Sequence, residues 1–191
     1  KIKTTIELGY ASGDGNAQDK TSYGFSFNPD YNVGIVLFDE VLSGISSKSA
    51  DRASNPEKVG FPPSGIELFP TNGSVTNAIY VMPTASFSPV DRLLLKLGFL
   101  YARANQDIID PWLSFSAGGV NRTFRDIPPP SKELGYEVDT GMSYEFNLPL
   151  SLKAIAGIEY GGLFPGDYFK DSNGQKPDFI CKLQARLNFV W

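Results

Sequence analysis

The sequence has no histidine and a single cysteine, Cys181. Without histidine, the chain cannot assemble a Ser-His-Asp or Cys-His catalytic constellation of its own. One cysteine cannot close an internal disulfide, and no Cys/His zinc site can be built from it. Positive charge is not in excess either. There are 17 Lys+Arg against 21 Asp+Glu, a net charge of -4, so the electrostatic footprint expected of a nucleic-acid binder is missing. No apolar run reaches the roughly 18 residues of a membrane-spanning helix. These absences leave room for a membrane barrel, whose hydrophobicity is hidden in alternation. The 41% hydrophobic content argues against disorder, and the length of 191 residues suits one domain.

Period-2 alternation dominates what is present. Phe179, Cys181, Leu183, Ala185, Leu187, Phe189 and Trp191 alternate with Ile180, Lys182, Gln184, Arg186, Asn188 and Val190. That is a strand with one apolar and one mostly polar face. The same pattern predicts strands over Ile2–Tyr10, Ile79–Phe87, Leu93–Tyr101, Leu134–Phe146 and Leu150–Tyr160. Each band is about nine residues or longer, which suits a tilted strand crossing a bilayer. Helical periodicity is weak, and the best short helix lies around Phe38-Asp39-Glu40-Val41-Leu42.

The connections alternate strictly between short and long. Ser88-Pro89-Val90-Asp91 and Asn147-Leu148-Pro149 are tight turns, whereas about 12–74, 105–131 and 165–177 are long and polar. Outer-membrane barrels sort their loops this way. Aromatic residues cluster at both strand ends. Phe87, Phe146, Phe189 and Trp191 lie towards the short turns, and Tyr10, Tyr101, Tyr160 and Phe179 towards the long loops. Two such girdles fit the two interfaces of a membrane. The expectation is therefore an all-β chain, an antiparallel transmembrane β-barrel meander in the bacterial outer membrane, occupying residues 1–191 as a single domain. A soluble β-barrel or sandwich binding protein is the competing architecture.

Six strands are fewer than the eight of the smallest single-chain barrels. Either the chain is the C-terminal part of a larger barrel, or it closes with another chain, or two strands are hidden near Ser22–Asn28 and Val33–Leu37. The first is favoured, because a strand pattern already running at Lys1 looks like a division made at a short turn.

The first long loop carries further motifs. Gly9-Tyr10-Ala11-Ser12-Gly13-Asp14 ends the first strand, followed by Lys20, Phe27-Asn28-Pro29, Gly34 and Asp39. With these motifs in this order the chain resembles the alginate-export-type family of outer-membrane porins, over about Gly9–Asp39. The family often shows a histidine between the proline and the glycine, where this chain has Asp30-Tyr31-Asn32-Val33. The resemblance implies a single-chain barrel of many more strands and a transport role. By resemblance to outer-membrane proteins generally, the final strand ending in Phe189 and Trp191 would be read by the barrel-insertion machinery.

If the apolar parity faces outer-membrane lipid, the other parity lines a pore. It carries Lys1, Lys3, Arg92, Lys96, Lys153, Lys182 and Arg186, with Glu7, Glu137, Asp139, Glu145 and Glu159. Such charges either pair across strands and stiffen the wall or set up a field across a water-filled pore, and pairing is the commoner use. The mildly basic balance is less than a polyanion exporter needs, so alginate itself is not assigned as the solute. Asp39 and Glu40 mark a candidate constriction segment, if the first loop folds inward and packs on the wall. Asp171-Ser172-Asn173-Gly174 is read as a turn, since it lacks the distal glutamate of a calcium loop. Gly60-Phe61-Pro62-Pro63 and Pro128-Pro129-Pro130 are stiff loop elements.

The function expected is a porin-like channel for small hydrophilic solutes or an extended polysaccharide, with no cofactor, no metal and no enzymatic step. A structural or adhesive barrel acting through its long loops is the alternative. An enzyme built on Glu137 and Asp139 is the weakest reading, since outer-membrane hydrolases usually rely on a histidine base.

Overall fold

Alternating chemistry of this kind folds as a sheet whose two faces differ. The computed structural model describes residues 1–16, 23–28, 33–42, 74–149 and 152–190. Ser22, Lys20, Pro29, Asp30-Tyr31-Asn32, Gly60-Phe61-Pro62-Pro63, Leu150, Ser151 and Trp191 lie outside the described residues. Six strands form one antiparallel sheet in chain order: β1 (Ile2–Ala11), β2 (Ala78–Phe87), β3 (Leu93–Arg103), β4 (Glu133–Asn147), β5 (Lys153–Pro165) and β6 (Ile180–Val190). The meander is open. Among the described residues β1 and β6 each have one hydrogen-bonded neighbour.

The tight turns fall where the prolines and polar residues put them. Between β2 and β3 the Leu93 N–H donates to the Val90 carbonyl at 3.3 Å, and Arg92 adopts φ 70°. Arg92 therefore sits in the turn, one residue outside the strand alternation that suggested it. The β2–β3 ladder skips Met82 and Pro83, running from Val81↔Tyr101 to Thr84↔Gly98. Proline has no N–H to give a neighbouring strand.

Among the described residues, neither of the two additional strands considered for the first loop forms. Residues 23–28 contribute an isolated bridge, Ser26↔Thr76, and Leu37–Leu42 make one π-helical turn. Its signature is that the Val36 carbonyl accepts from both Glu40 N–H, 3.0 Å, and Val41 N–H, 3.1 Å. A second short helix, Pro111–Ser116, arises within the 105–131 connection. Asp110 caps it by accepting the Leu113 N–H at 3.0 Å, and proline at the first helical position has no N–H to leave unpaired. Asp171 closes the expected turn, its carboxylate accepting the N–H groups of Asn173 and Gln175 at 2.9 and 2.8 Å. Among the described residues no helix is long and apolar enough to cross a membrane.

One β-bulge changes a side-chain assignment. Ala102 pairs with Gly135 and Arg103 with Glu133, which leaves Leu134 as the extra residue. Gly135 takes φ 112°, and a Cβ there would collide with the Phe164 carbonyl oxygen. Leu134 belongs by alternation to the outward apolar set, yet it is fully buried because the bulge turns it through the sheet.

Candidate functional site

The apolar parity of all six strands faces outward. Ile6 and Leu8 on β1, Leu97 and Phe99 on β3, Met142 on β4, Ile158 on β5 and Leu183 and Leu187 on β6 are all exposed, Leu8 to 74% and Leu97 to 54%. Towards the long-loop end, register aligns Tyr101, Tyr136 and Phe164 across β3, β4 and β5. Tyr136 stacks on Phe164 at 4.8 Å between ring centroids, and Phe164 meets Phe179 at 5.0 Å. Phe87, Phe146 and Phe189 are exposed near the other end.

The opposite face carries the charges, in rows set by register. One row runs Lys3, Ser86, Lys96, Gly141, Glu159, Gln184 from β1 to β6. The next runs Thr5, Thr84, Gly98, Asp139, Gly161, Lys182. Residues of all six strands line one cavity of about 450 Å³, among them Lys3, Lys96, Asp139, Glu159 and Arg186. A single cavity bordered by both β1 and β6 means that the sheet wraps towards its polar face.

Several of these charges pair. Lys153 meets Glu145 at 2.8 Å and Arg186 meets Glu159 at 3.2 Å, with Gln184 donating to Glu159 at 2.7 Å. Glu7 accepts the Tyr80 hydroxyl at 2.6 Å. Lys3 and Lys96 form no ion pair among the described residues and stand exposed on the cavity wall. Asp139 has both carboxylate oxygens shut away from solvent without a hydrogen-bond partner among the described residues. Among those residues no three His, Cys, Asp or Glu side chains converge on a metal-sized position.

At the long-loop end the same parity is apolar and covered. Tyr80, Leu100, Ala102 and Leu163 are buried there, with Met82 and Ile180 beside them. Their cover is residues 33–42. Phe38 packs edge-on against Tyr80 at 5.2 Å, and Phe27 does so at 5.8 Å. Val33, Val36, Leu37 and Leu42 join the same core. Ile35 lies over Gly161, where a Cβ would strike its Cγ1 atom.

Glu137 is completely buried at the centre of this contact. Its carboxylate accepts three consecutive backbone N–H groups, Ile35 at 2.7 Å, Val36 at 2.8 Å and Leu37 at 2.7 Å. Gly34 makes this possible with φ 67°, which turns successive N–H groups to one side, and a Cβ there would come within 2.9 Å of the carboxylate. Such a run of N–H groups is an anion-binding concavity, and here an internal carboxylate fills it. On the far side of the π-turn, Lys182 donates to Asp39 at 2.7 Å and also pairs with Glu40.

Of the residues singled out by alternation, Lys3, Glu7, Lys96, Asp139, Glu159 and Arg186 come together around one cavity. Glu145 and Lys153 pair near the β4–β5 turn, away from it. Asp39 and Glu40 sit against the sheet beside Lys182. Sequence reasoning grouped Glu137 with wall charges, whereas it holds backbone. Ile35 and Gly161 were missing from that reading, and Gly34 entered it only as part of the first-loop motif. The spacing of Gly34 before an apolar run is the one local sign of the seat.

Comparison with known proteins found no matching family model, no matching curated protein and no matching solved structure.

Proposed function

We propose that this chain forms part of a bacterial outer-membrane β-barrel that conducts hydrophilic solutes, of the kind represented by alginate-export-type porins. The observation that carries the reading is the inversion of the sheet. Large apolar side chains on all six strands point outward to solvent, while the face towards which the sheet wraps is lined with charge. An exposed apolar band on this scale is unfavourable in water and favourable in hydrocarbon. Aromatic residues at both margins of the band suit the two interfaces.

The open edges belong to the same reading. A strand edge in hydrocarbon leaves N–H and C=O groups that no water can satisfy, so the edges of β1 and β6 call for further strands to close the barrel. Those strands come from the rest of a longer chain or from another chain. The resemblance over Gly9–Asp39 favours the first source. Neither a cofactor nor a catalytic step is part of the proposal.

The test is reconstitution of the native protein, extracted from outer membranes in mild detergent, into planar lipid bilayers. Discrete ionic conductance, with a heat-dependent gel shift on a band above 20.9 kDa, is the expected result. A protein recovered in the soluble fraction, or a folded barrel that carries no current, would overturn it.

A further inference from the structure

Residues 33–42 cover only one end of the polar face, and the way they are fastened has a functional consequence. We propose that Glu137 is a positioning residue that clamps this segment to the inner wall as a fixed constriction, with Lys182 securing its π-turn and setting its charge. The proposal rests on the channel reading given above.

Two separate fastenings argue for a fixed element over a hinged lid. At the start of the segment, three N–H groups share one buried carboxylate. No cation pairs with Glu137 among the described residues, so its charge is met by the segment's own backbone. Lifting the segment would leave both the carboxylate and the three donors short of partners in a low-dielectric core. In the middle of the π-turn, Lys182 reaches from β6 to Asp39 and Glu40. Between these points Ile35 sits on the Cβ-less surface of Gly161, and Phe38 packs on Tyr80.

The clamp places two carboxylates, Asp39 and Glu40, over the polar face, with Lys182 as their counter-charge. Below them Lys3, Lys96 and Arg186 border the cavity. A passing solute would meet the acidic segment and then a wall of mixed charge, in which these cations stand among Glu7, Asp139 and Glu159. Charge carried on a constriction biases passage by sign.

The experiment uses the full-length protein with Cys181→Ser as background and Val36→Cys as reporter, since Val36 is buried at 1% exposure. A small water-soluble methanethiosulfonate is the probe. Labelling should be slow with Glu137 intact, faster in Glu137→Gln and fastest in Glu137→Ala. Gly161→Ala, which pushes on Ile35 and on the Asp139 carboxylate and leaves Glu137 untouched, should also accelerate it. Single-channel conductance, measured without the reporter cysteine, should rise in the same order. Lys182→Gln, which releases the second fastening, should also raise the conductance, and it alone should shift the reversal potential in a salt gradient towards cations. Equal labelling rates and equal conductance in variants that keep the heat-dependent gel shift would overturn the clamp. If Glu137→Ala does not fold, Glu137→Gln and Gly161→Ala decide. A parent protein without current would overturn the channel reading alone, because thiol protection at position 36 still reports the clamp.

Discussion

The polar face has two halves built on the same strands and the same alternation, and they behave differently. Near the short turns it is wet and charged, with Lys96 exposed and Glu145 paired to Lys153. Near the long loops it is a packed core, in which Leu100 and Leu163 are completely buried beneath residues 33–42. Alternation specifies which side of the sheet a residue occupies. What covers that side depends on a segment brought from far along the chain. Glu137 and Val36 are 101 residues apart.

The largest effect should separate the two halves. Leu100→Ala removes a fully buried side chain and is expected to cost about 2–5 kcal/mol. Lys96→Ala, in the wet half, should stay within about 0.5 kcal/mol. Urea unfolding in detergent micelles measures both, and equal costs would erase the distinction.

A comparable effect tests the outer face against the inner. If Leu97, in the middle of the apolar band, lies in hydrocarbon, Leu97→Arg should destabilise by about 2–4 kcal/mol. The yield of heat-modifiable protein in outer membranes should fall accordingly. Wild-type yield and stability would place that face in water.

Smaller changes sharpen the wet half itself. The Lys153–Glu145 pair is half exposed on the lysine side, so Lys153→Ala should cost under about 1 kcal/mol and less still at high salt. A salt-independent loss would mean that the lysine acts through packing.

The smallest effect lies outside the strands, in the connection after β5. Hydrogen bonds from Lys170, 2.7 Å, and Lys176, 3.1 Å, hold the Asp167 carboxyl below the usual carboxylate range. A carboxyl whose pKa is depressed in the folded state contributes stability above its unfolded pKa. That contribution is lost as pH falls through the lower, folded value. Asp167→Asn should therefore lower this connection's hydrogen-exchange protection at neutral pH and leave it nearly unchanged at the acid end, so that the pH dependence flattens. The neighbouring Tyr168 hydroxyl is pushed up by burial, which keeps it neutral at any pH the experiment uses.

Much of the architecture is legible in the sequence because strand formation is a short-range pattern. The predicted Ile79–Phe87 and Leu93–Tyr101 segments differ from β2 and β3 by one and two residues at an end. Tight turns set the β2–β3 and β4–β5 registers, whereas the other three pairings in the row from Lys3 to Gln184 are made across long connections. Leu134 escapes the pattern because a bulge needs two strands to define it. Glu137 escapes because a carboxylate in an acidic strand looks the same whether it meets water, a lysine or a backbone.

The sequence by itself determined six strands, their order of short and long connections, and the separation of apolar from charged parity. Each follows from the two-residue period of the strand and the conformational limits of its turns. Only the tertiary structure decided that residues 33–42 lie on the charged face and that Glu137 receives them. Those choices depend on the left-handed turn at Gly34, the bare surface at Gly161 and three N–H groups needing an acceptor, which meet only when strands distant in sequence are side by side.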